Sequence, residues 1–164
     1  MVGGRVPGVT ARGFTLIELV ITVAIVALLA SVALPVSELA VQRTKEQELR
    51  RTLRQIREAI DVYKQASDEV RIKKSIGDSG YPKKLEELAE GVDDLKSPKK
   101  EKIYFLRRIP RDPLNADPTL SAAASWGKRS YASPPDDPRE GDDVFDVFSL
   151  APGKGINGQP YRDW

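Results

Sequence analysis

A single carboxylate, Glu18, lies inside the most apolar stretch of the chain. It is the only charged residue from Phe14 to Val36, a run of 23 residues. A charge at bilayer depth costs about 2.5 kcal/mol or more without a partner, so a plain anchor has no use for it. The chemistry open to such a carboxylate is pairing with a cation. The run therefore predicts a segment that does more than hold the chain in a membrane.

Other chemistry is restricted by composition. The chain of 164 residues has no cysteine and no histidine, which excludes disulfides, thiol nucleophiles and the commonest general base. No carboxylate pair or lysine is singled out as a catalytic group, so we predict that the protein is not an enzyme. The 26 basic and 24 acidic residues nearly balance, which argues against a nucleic-acid partner.

The apolar run is long enough to span a membrane. As a helix, residues 14–36 would extend about 34 Å, against a hydrocarbon core of about 30 Å. An ordinary signal peptide has a shorter apolar core and a small-residue cleavage site after it. Arg5 and Arg12 precede the run, so the N-terminus is expected in the cytoplasm and the remainder is expected to be exported.

Beyond the span, residues 37–74 are predicted to continue the helix with one apolar face. Pro35 lacks an N–H, so a kink or local melting is expected there. Glu46 and Arg50 are expected on a solvent face. We predict one long helix from about Phe14 to about Gln65, with a possible extension to Lys74. Its buried stripe has helical spacing and consists of Leu49, Leu53, Ile56, Ile60 and Tyr63.

Residues 75–164 are predicted to form a globular α+β region. A short helix is expected near Pro82, with Gly91 as its C-terminal cap. Strand candidates are residues 102–110, 125–133 and 143–151, so the fold class is a long helix packed on a small antiparallel sheet. Trp164 is expected to pack as a plug. The acidic run before the last strand is interpreted as a solvated loop.

The sequence RGFTLIE, Arg12 to Glu18, resembles the signal of type IV pilin-like proteins. The resemblance implies that residues 1–13 form a leader, that a prepilin peptidase cuts after Gly13, and that Phe14 is then N-methylated. It also implies assembly roles for Glu18, fifth in the mature chain, and for Pro35. In such proteins the glutamate is thought to meet the Phe amine of a neighbouring subunit. Glu18 would then fix the axial offset between subunits.

The rest of the chain resembles the major pseudopilins of type II secretion systems, which are general secretion pathway protein G-like. The segments that carry this resemblance are AIDVYK, GYPKKLEEL, FLRRIPRDP, WGKRSY and DVFSLAPGKGINGQPYRDW. It implies a single-pass inner-membrane protein with a periplasmic C-terminal region, which polymerises with itself and with minor pseudopilins into a pseudopilus. The implied partners are the prepilin peptidase, an assembly platform, a secretion ATPase and an outer-membrane secretin.

Two alternatives remain at this point. One is a type IV pilus subunit for adhesion, motility or DNA uptake, although such pilins often have a cysteine-closed loop. The other is a membrane-anchored binding domain that acts alone, for which Glu18 would have no purpose.

The C-terminal loop departs from the resemblance. Pseudopilins of this family bind calcium there, but Gly153 and Lys154 stand where an acidic ligand is expected. Calcium prefers six to eight oxygen ligands, several of them anionic. Leu150 through its carbonyl, Asn157 and Asp163 are the candidate ligands, and they would supply part of a shell. Lys154 paired with Asp163 is the alternative to an ion. A second candidate calcium site is the acidic run of residues 136–143, although a charge run is usually a solvated loop. We therefore expect no cofactor, with Ca²⁺ as the one candidate.

Overall fold

A long helix opens the chain in the computed structural model, which describes residues 13–99 and 101–164. Helix α1 spans Leu16–Asp68, 53 residues. It begins two residues later than predicted and ends inside the predicted range. Helix is assigned through position 35, so the local melting expected at Pro35 is not seen. Most of the predicted leader, residues 1–12, lies outside the described residues.

The chain divides into two compact units, residues 1–41 and residues 42–164. In the first unit, the described residues from Leu16 onward are helical, and the large apolar side chains there are exposed. An 18-residue window of α1 has a mean hydropathy of 2.7 and none of it is buried. A helix that is apolar on all sides suits a lipid environment rather than a protein core. This part of α1 is thus long and apolar enough to cross a membrane.

In the second unit, the part of α1 from Gln42 to Asp68 carries the predicted stripe. Its five members are 0–6% exposed: Leu49, Leu53, Ile56, Ile60 and Tyr63. Their spacing places them on one helical face, and that face packs against the globular region. The prediction of this core face is confirmed.

A short helix and a small sheet follow. Helix α2 spans Glu87–Glu90 and ends at Gly91, whose φ of 76° is one that glycine adopts easily, as predicted for the cap. Pro82 was expected at an early helical position, which is wrong, because α2 begins only at residue 87. The Pro82 carbonyl instead accepts a hydrogen bond from the Val144 N–H at 2.8 Å. This bond ties the segment to the far end of the globular region.

The β-structure forms two separate antiparallel pairs. Strands β1, Val92–Asp93, and β2, Lys102–Ile103, make one pair. Strands β3, Trp126–Arg129, and β4, Asp146–Ser149, make the other, with Trp126 opposite Ser149. The α+β class with α1 packed on antiparallel strands is as predicted. Two of the predicted strands correspond to β3 and β4.

The first predicted strand, residues 102–110, is much shorter than expected. The N–H groups of Phe105 and Leu106 both donate to the Leu88 carbonyl, at 3.0 and 2.8 Å. They therefore cap the end of α2 instead of extending a ladder. The chain then turns at Asp112, which is 1% exposed and accepts hydrogen bonds from the Ser149 hydroxyl and the Leu114 N–H.

Candidate assembly site and C-terminal loop

Thr15 and Glu18 close the N-terminal end of α1 on each other. Thr15 is the residue before the first helical position, and Glu18 is the third helical residue. The Glu18 N–H donates to the Thr15 hydroxyl at 3.3 Å, and the Thr15 N–H donates to Glu18 Oε2 at 3.4 Å. These reciprocal bonds form a capping box, which satisfies two of the N–H groups that a helix leaves unpaired at its start.

The capping box is a feature that our sequence reasoning missed, although the signal was present. A threonine followed three residues later by glutamate, just before an apolar run, is the known signature. We interpreted Glu18 only as a partner for a cation. In the structure Glu18 also caps the helix, and it thereby helps to fix the residue at which α1 begins.

Gly13 and Phe14 lie immediately before this cap and are open to solvent. Phe14 is 81% exposed, and a Cβ added at Gly13 would meet no atom within 4 Å. The peptide bond between them is therefore sterically accessible. A new amine at Phe14 would stand four positions before Glu18, a separation of about one turn in a helix.

The three candidate calcium ligands line two different grooves. Asn157 and Asp163 line a groove of about 660 Å³ together with arginines of α1, namely Arg50, Arg54 and Arg57. Leu150 lines a different groove. The Asn157 side-chain oxygen accepts a hydrogen bond from the Gln159 N–H at 3.1 Å, so it already serves the turn. The groove beside Asn157 and Asp163 is therefore lined by three basic side chains of α1.

The loop is held to α1 by a buried glutamate. Glu46 is 7% exposed, and its Oε1 accepts hydrogen bonds from the Ile156 N–H at 2.9 Å and from the Tyr161 hydroxyl at 3.1 Å. Gln42 donates to both Glu46 and Tyr161. Burial, with the nearby Glu46 carboxylate, raises the pKa of Tyr161, so its hydroxyl keeps the proton that it donates. The expectation that Glu46 faces solvent is wrong.

An arginine of α1 binds the end of the chain. Arg57 Nε donates to Asp146 Oδ1 at 2.7 Å, and its Nη2 donates to the carbonyl oxygens of Val147 and Trp164 at 3.1 and 2.8 Å. The Arg50 guanidinium lies 4.3 Å from the centre of the Trp164 ring. Trp164 also meets Tyr161 edge to face at 5.3 Å, so it packs as the sequence predicted.

The acidic run of residues 136–143 is partly engaged by neighbouring side chains. Arg139 pairs with Asp137, and Lys128 pairs with Glu140 at 3.5 Å. Asp143 accepts a hydrogen bond from the Tyr131 N–H at 2.8 Å. These contacts are those of an ordered surface loop.

Comparison with known proteins agrees with this geometry. The model of the prokaryotic N-terminal methylation motif matches residues 10–34. Over 152 residues the chain is 25% identical to "Type II secretion system core protein G" of Dickeya chrysanthemi, which covers 90% of this chain and 92% of that protein. The chain thus carries the N-terminal methylation motif and is a distant relative, by sequence similarity, of a type II secretion core protein. No solved structure gives a significant match.

The resemblance to major pseudopilins implies calcium in the C-terminal loop, but the residues present do not fit that ion. Within residues 13–99 and 101–164, no group of three or more His, Cys, Asp or Glu side chains is arranged to hold a metal. Asp163 lies 4.0 Å from the Arg162 guanidinium and shares its groove with further arginines. Calcium needs several anionic oxygens. The groove instead presents guanidinium groups.

Proposed function

We propose that the chain is a pseudopilin: a non-enzymatic subunit that polymerises through its N-terminal helix into a periplasmic filament of a type II secretion system. The observation that carries this proposal is the position of Glu18. The methylation motif spans residues 10–34, and Glu18 is the only charged residue from Phe14 to Val36. It lies in the apolar first part of α1, which begins at Leu16, shortly after the Gly13–Phe14 bond.

Processing is the first step of the proposal. A prepilin peptidase removes residues 1–13, and Phe14 becomes the N-terminal residue and is methylated. Loss of Arg5 and Arg12 leaves 24 basic and 24 acidic residues, so the mature chain is formally neutral. The new amine is largely protonated at neutral pH, so it supplies a cation that can pair with Glu18.

Assembly is the second step. In a single subunit the Glu18 carboxylate is partly satisfied by hydrogen bonds from the Thr15 N–H and the Thr15 hydroxyl. The carboxylate still carries a charge, and in a low dielectric it gains most from a full cation. The Phe14 amine of a neighbouring subunit supplies that cation only at one axial offset. Glu18 thereby selects the register of the filament, and the helix region around Pro35 packs along its neighbours.

The globular region faces the periplasm, while α1 holds the unassembled subunit in the inner membrane. The partners are other copies of this chain, minor pseudopilins, the prepilin peptidase, the inner-membrane platform with its ATPase, and the secretin. Similarity to a type II secretion core protein over 90% of the chain favours secretion. The alternative is a type IV pilus subunit, which shares the same motif and processing.

A deletion strain tests both the processing and the choice between secretion and pilus. Complementation with the wild-type chain should restore exported proteins to the medium, and the intact mass of the membrane protein should lack residues 1–13. Gly13→Leu should block cleavage and secretion, since it alters the cleavage site where the folded chain has free space. Loss of surface pili with normal secretion would favour the alternative. Cleavage at another bond would refute the processing step.

A further inference from the structure

We infer that Glu46 and Arg57 anchor the C-terminal loop, residues 150–164, in the role that a metal ion would fill, so that the loop keeps its conformation without a divalent cation. Both side chains belong to α1 within the unit of residues 42–164. The inference concerns how this loop is ordered, and it does not depend on the proposed filament.

Glu46 supplies the anionic half of the anchor. A bound metal orders a loop by gathering oxygens, whereas Glu46 gathers hydrogen-bond donors. One oxygen, Oε1, accepts from the Ile156 backbone and from the Tyr161 hydroxyl. Removing it would leave three donors without this acceptor: the Tyr161 hydroxyl in a buried place, and the Ile156 N–H and the Gln42 amide in partly buried ones. A buried donor without a partner destabilises the fold, so the loop position depends on this carboxylate.

Arg57 supplies the cationic half. Its guanidinium collects one carboxylate oxygen, from Asp146, and two carbonyl oxygens, from Val147 and Trp164. Anionic and carbonyl oxygens are the groups that calcium binds. The planar fork of arginine binds several such oxygens at fixed angles, which lysine does not reproduce. Strand β4 and the last residue are therefore joined through a side chain of α1.

The local charge also opposes a bound cation. The groove that contains Asn157 and Asp163 is lined by Arg50, Arg54 and Arg57. A divalent ion placed beside Asp163 would face these guanidinium groups, and like charges repel each other. The Lys154 pairing suggested by the sequence is not the arrangement seen: the ion pair shown at Asp163 is with Arg162.

Hydrogen exchange of the full chain in detergent micelles tests this inference. Peptides that cover residues 150–164 are followed in millimolar CaCl₂ and in EDTA. We expect equal protection in both. Glu46→Ala should speed exchange at Ile156 by about tenfold or more in either buffer, because its acceptor is lost. Glu46→Gln should retain much of the protection, since the amide oxygen still accepts the Ile156 N–H.

Two exposed residues of the same helix provide matched controls. Glu48→Ala and Arg51→Ala remove a carboxylate and a guanidinium that are exposed, and they should leave loop exchange unchanged. Arg57→Ala should speed hydrogen exchange in residues 161–164. Arg57→Lys should restore the slow exchange only in part.

Two results would overturn the inference. In the first, EDTA alone speeds loop exchange in the wild-type chain, and Ca²⁺ reverses it. In the second, Glu46→Ala and Arg57→Ala leave the loop as protected as the two controls do. Neither result would bear on cleavage after Gly13 or on filament assembly, so failure here is distinguishable from failure of the proposed function.

Discussion

The two parts of α1 share one backbone conformation but differ in what their side chains contact. The large apolar side chains of residues 16–31 and 36–41 are exposed, whereas in the part from Gln42 to Asp68 the stripe from Leu49 to Tyr63 is buried and flanked by charge. Leu28 is 68% exposed and Leu53 is 2% exposed, although both are leucines of the same helix. The difference shows that the apolar pattern, rather than apolar content, decides which part builds the core. An all-round pattern remains available to lipid or to other helices.

A matched pair of leucine truncations tests this difference with the largest expected effect on folding. Leu53→Ala should lower the free energy of unfolding of residues 42–164 by about 2–5 kcal/mol, because it leaves a cavity in a packed core. Leu28→Ala should leave that unfolding unchanged. Thermal unfolding of the full chain in detergent, followed by near-ultraviolet circular dichroism, measures both. An equal loss for the two variants would show that both parts of α1 are packed alike.

Acid unfolding sharpens the comparison with a smaller effect. A hydrogen bond from Arg71, with a further one from the Lys96 N–H, lowers the pKa of Asp94 below its ordinary value of 3.8. A lowered carboxyl pKa contributes stability above the ordinary value, and this is lost as pH falls through the folded value. Stability of residues 42–164 should therefore fall below about pH 3.8.

Asp94→Asn should flatten this acid dependence slightly. The effect is small because the pair lies near the surface, where water screens it. The neighbouring Asp93, which is exposed on β1, gives the control Asp93→Asn, and that variant should retain the wild-type dependence. An unchanged acid transition in Asp94→Asn would place the titrating group elsewhere.

Periodicity predicted the helical part of this fold well. The stripe from Leu49 to Tyr63 and the cap at Gly91 both depend on local spacing and backbone preference, and both were found. The prediction of a strand over all of residues 102–110 was wrong, because tertiary hydrogen bonds to the Leu88 carbonyl outweighed local β-propensity. Hydrogen bonds to a residue distant in the sequence cannot be predicted from the composition of a short apolar run.

The candidate functional residues could likewise be predicted only where a local sequence motif marks them. The sequence motif located Gly13, Phe14 and Glu18, whose roles remain predictions. It could not reveal that Glu46 is buried, because a charged residue on a helix is usually solvated. The C-terminal residues that surround Glu46 lie more than a hundred positions away in the chain, at Ile156 and Tyr161.

The central claim is that the charge of Glu18, rather than its capping role, selects the neighbouring subunit. Two variants separate the roles. Glu18→Gln removes the charge but retains a capping box, which accepts either residue. Thr15→Ala breaks the box, at a local cost of about 0.5–2 kcal/mol, but retains the charge.

The deciding measurement is the fraction of subunit recovered in sheared, sedimentable filaments from a deletion strain that expresses each variant. We predict that Glu18→Gln lowers this fraction by about tenfold or more, since an uncompensated partner in a low dielectric costs several kcal/mol. Thr15→Ala should lower it much less. Wild-type assembly of Glu18→Gln, with loss of assembly in Thr15→Ala, would contradict the account and leave Glu18 as a helix cap alone.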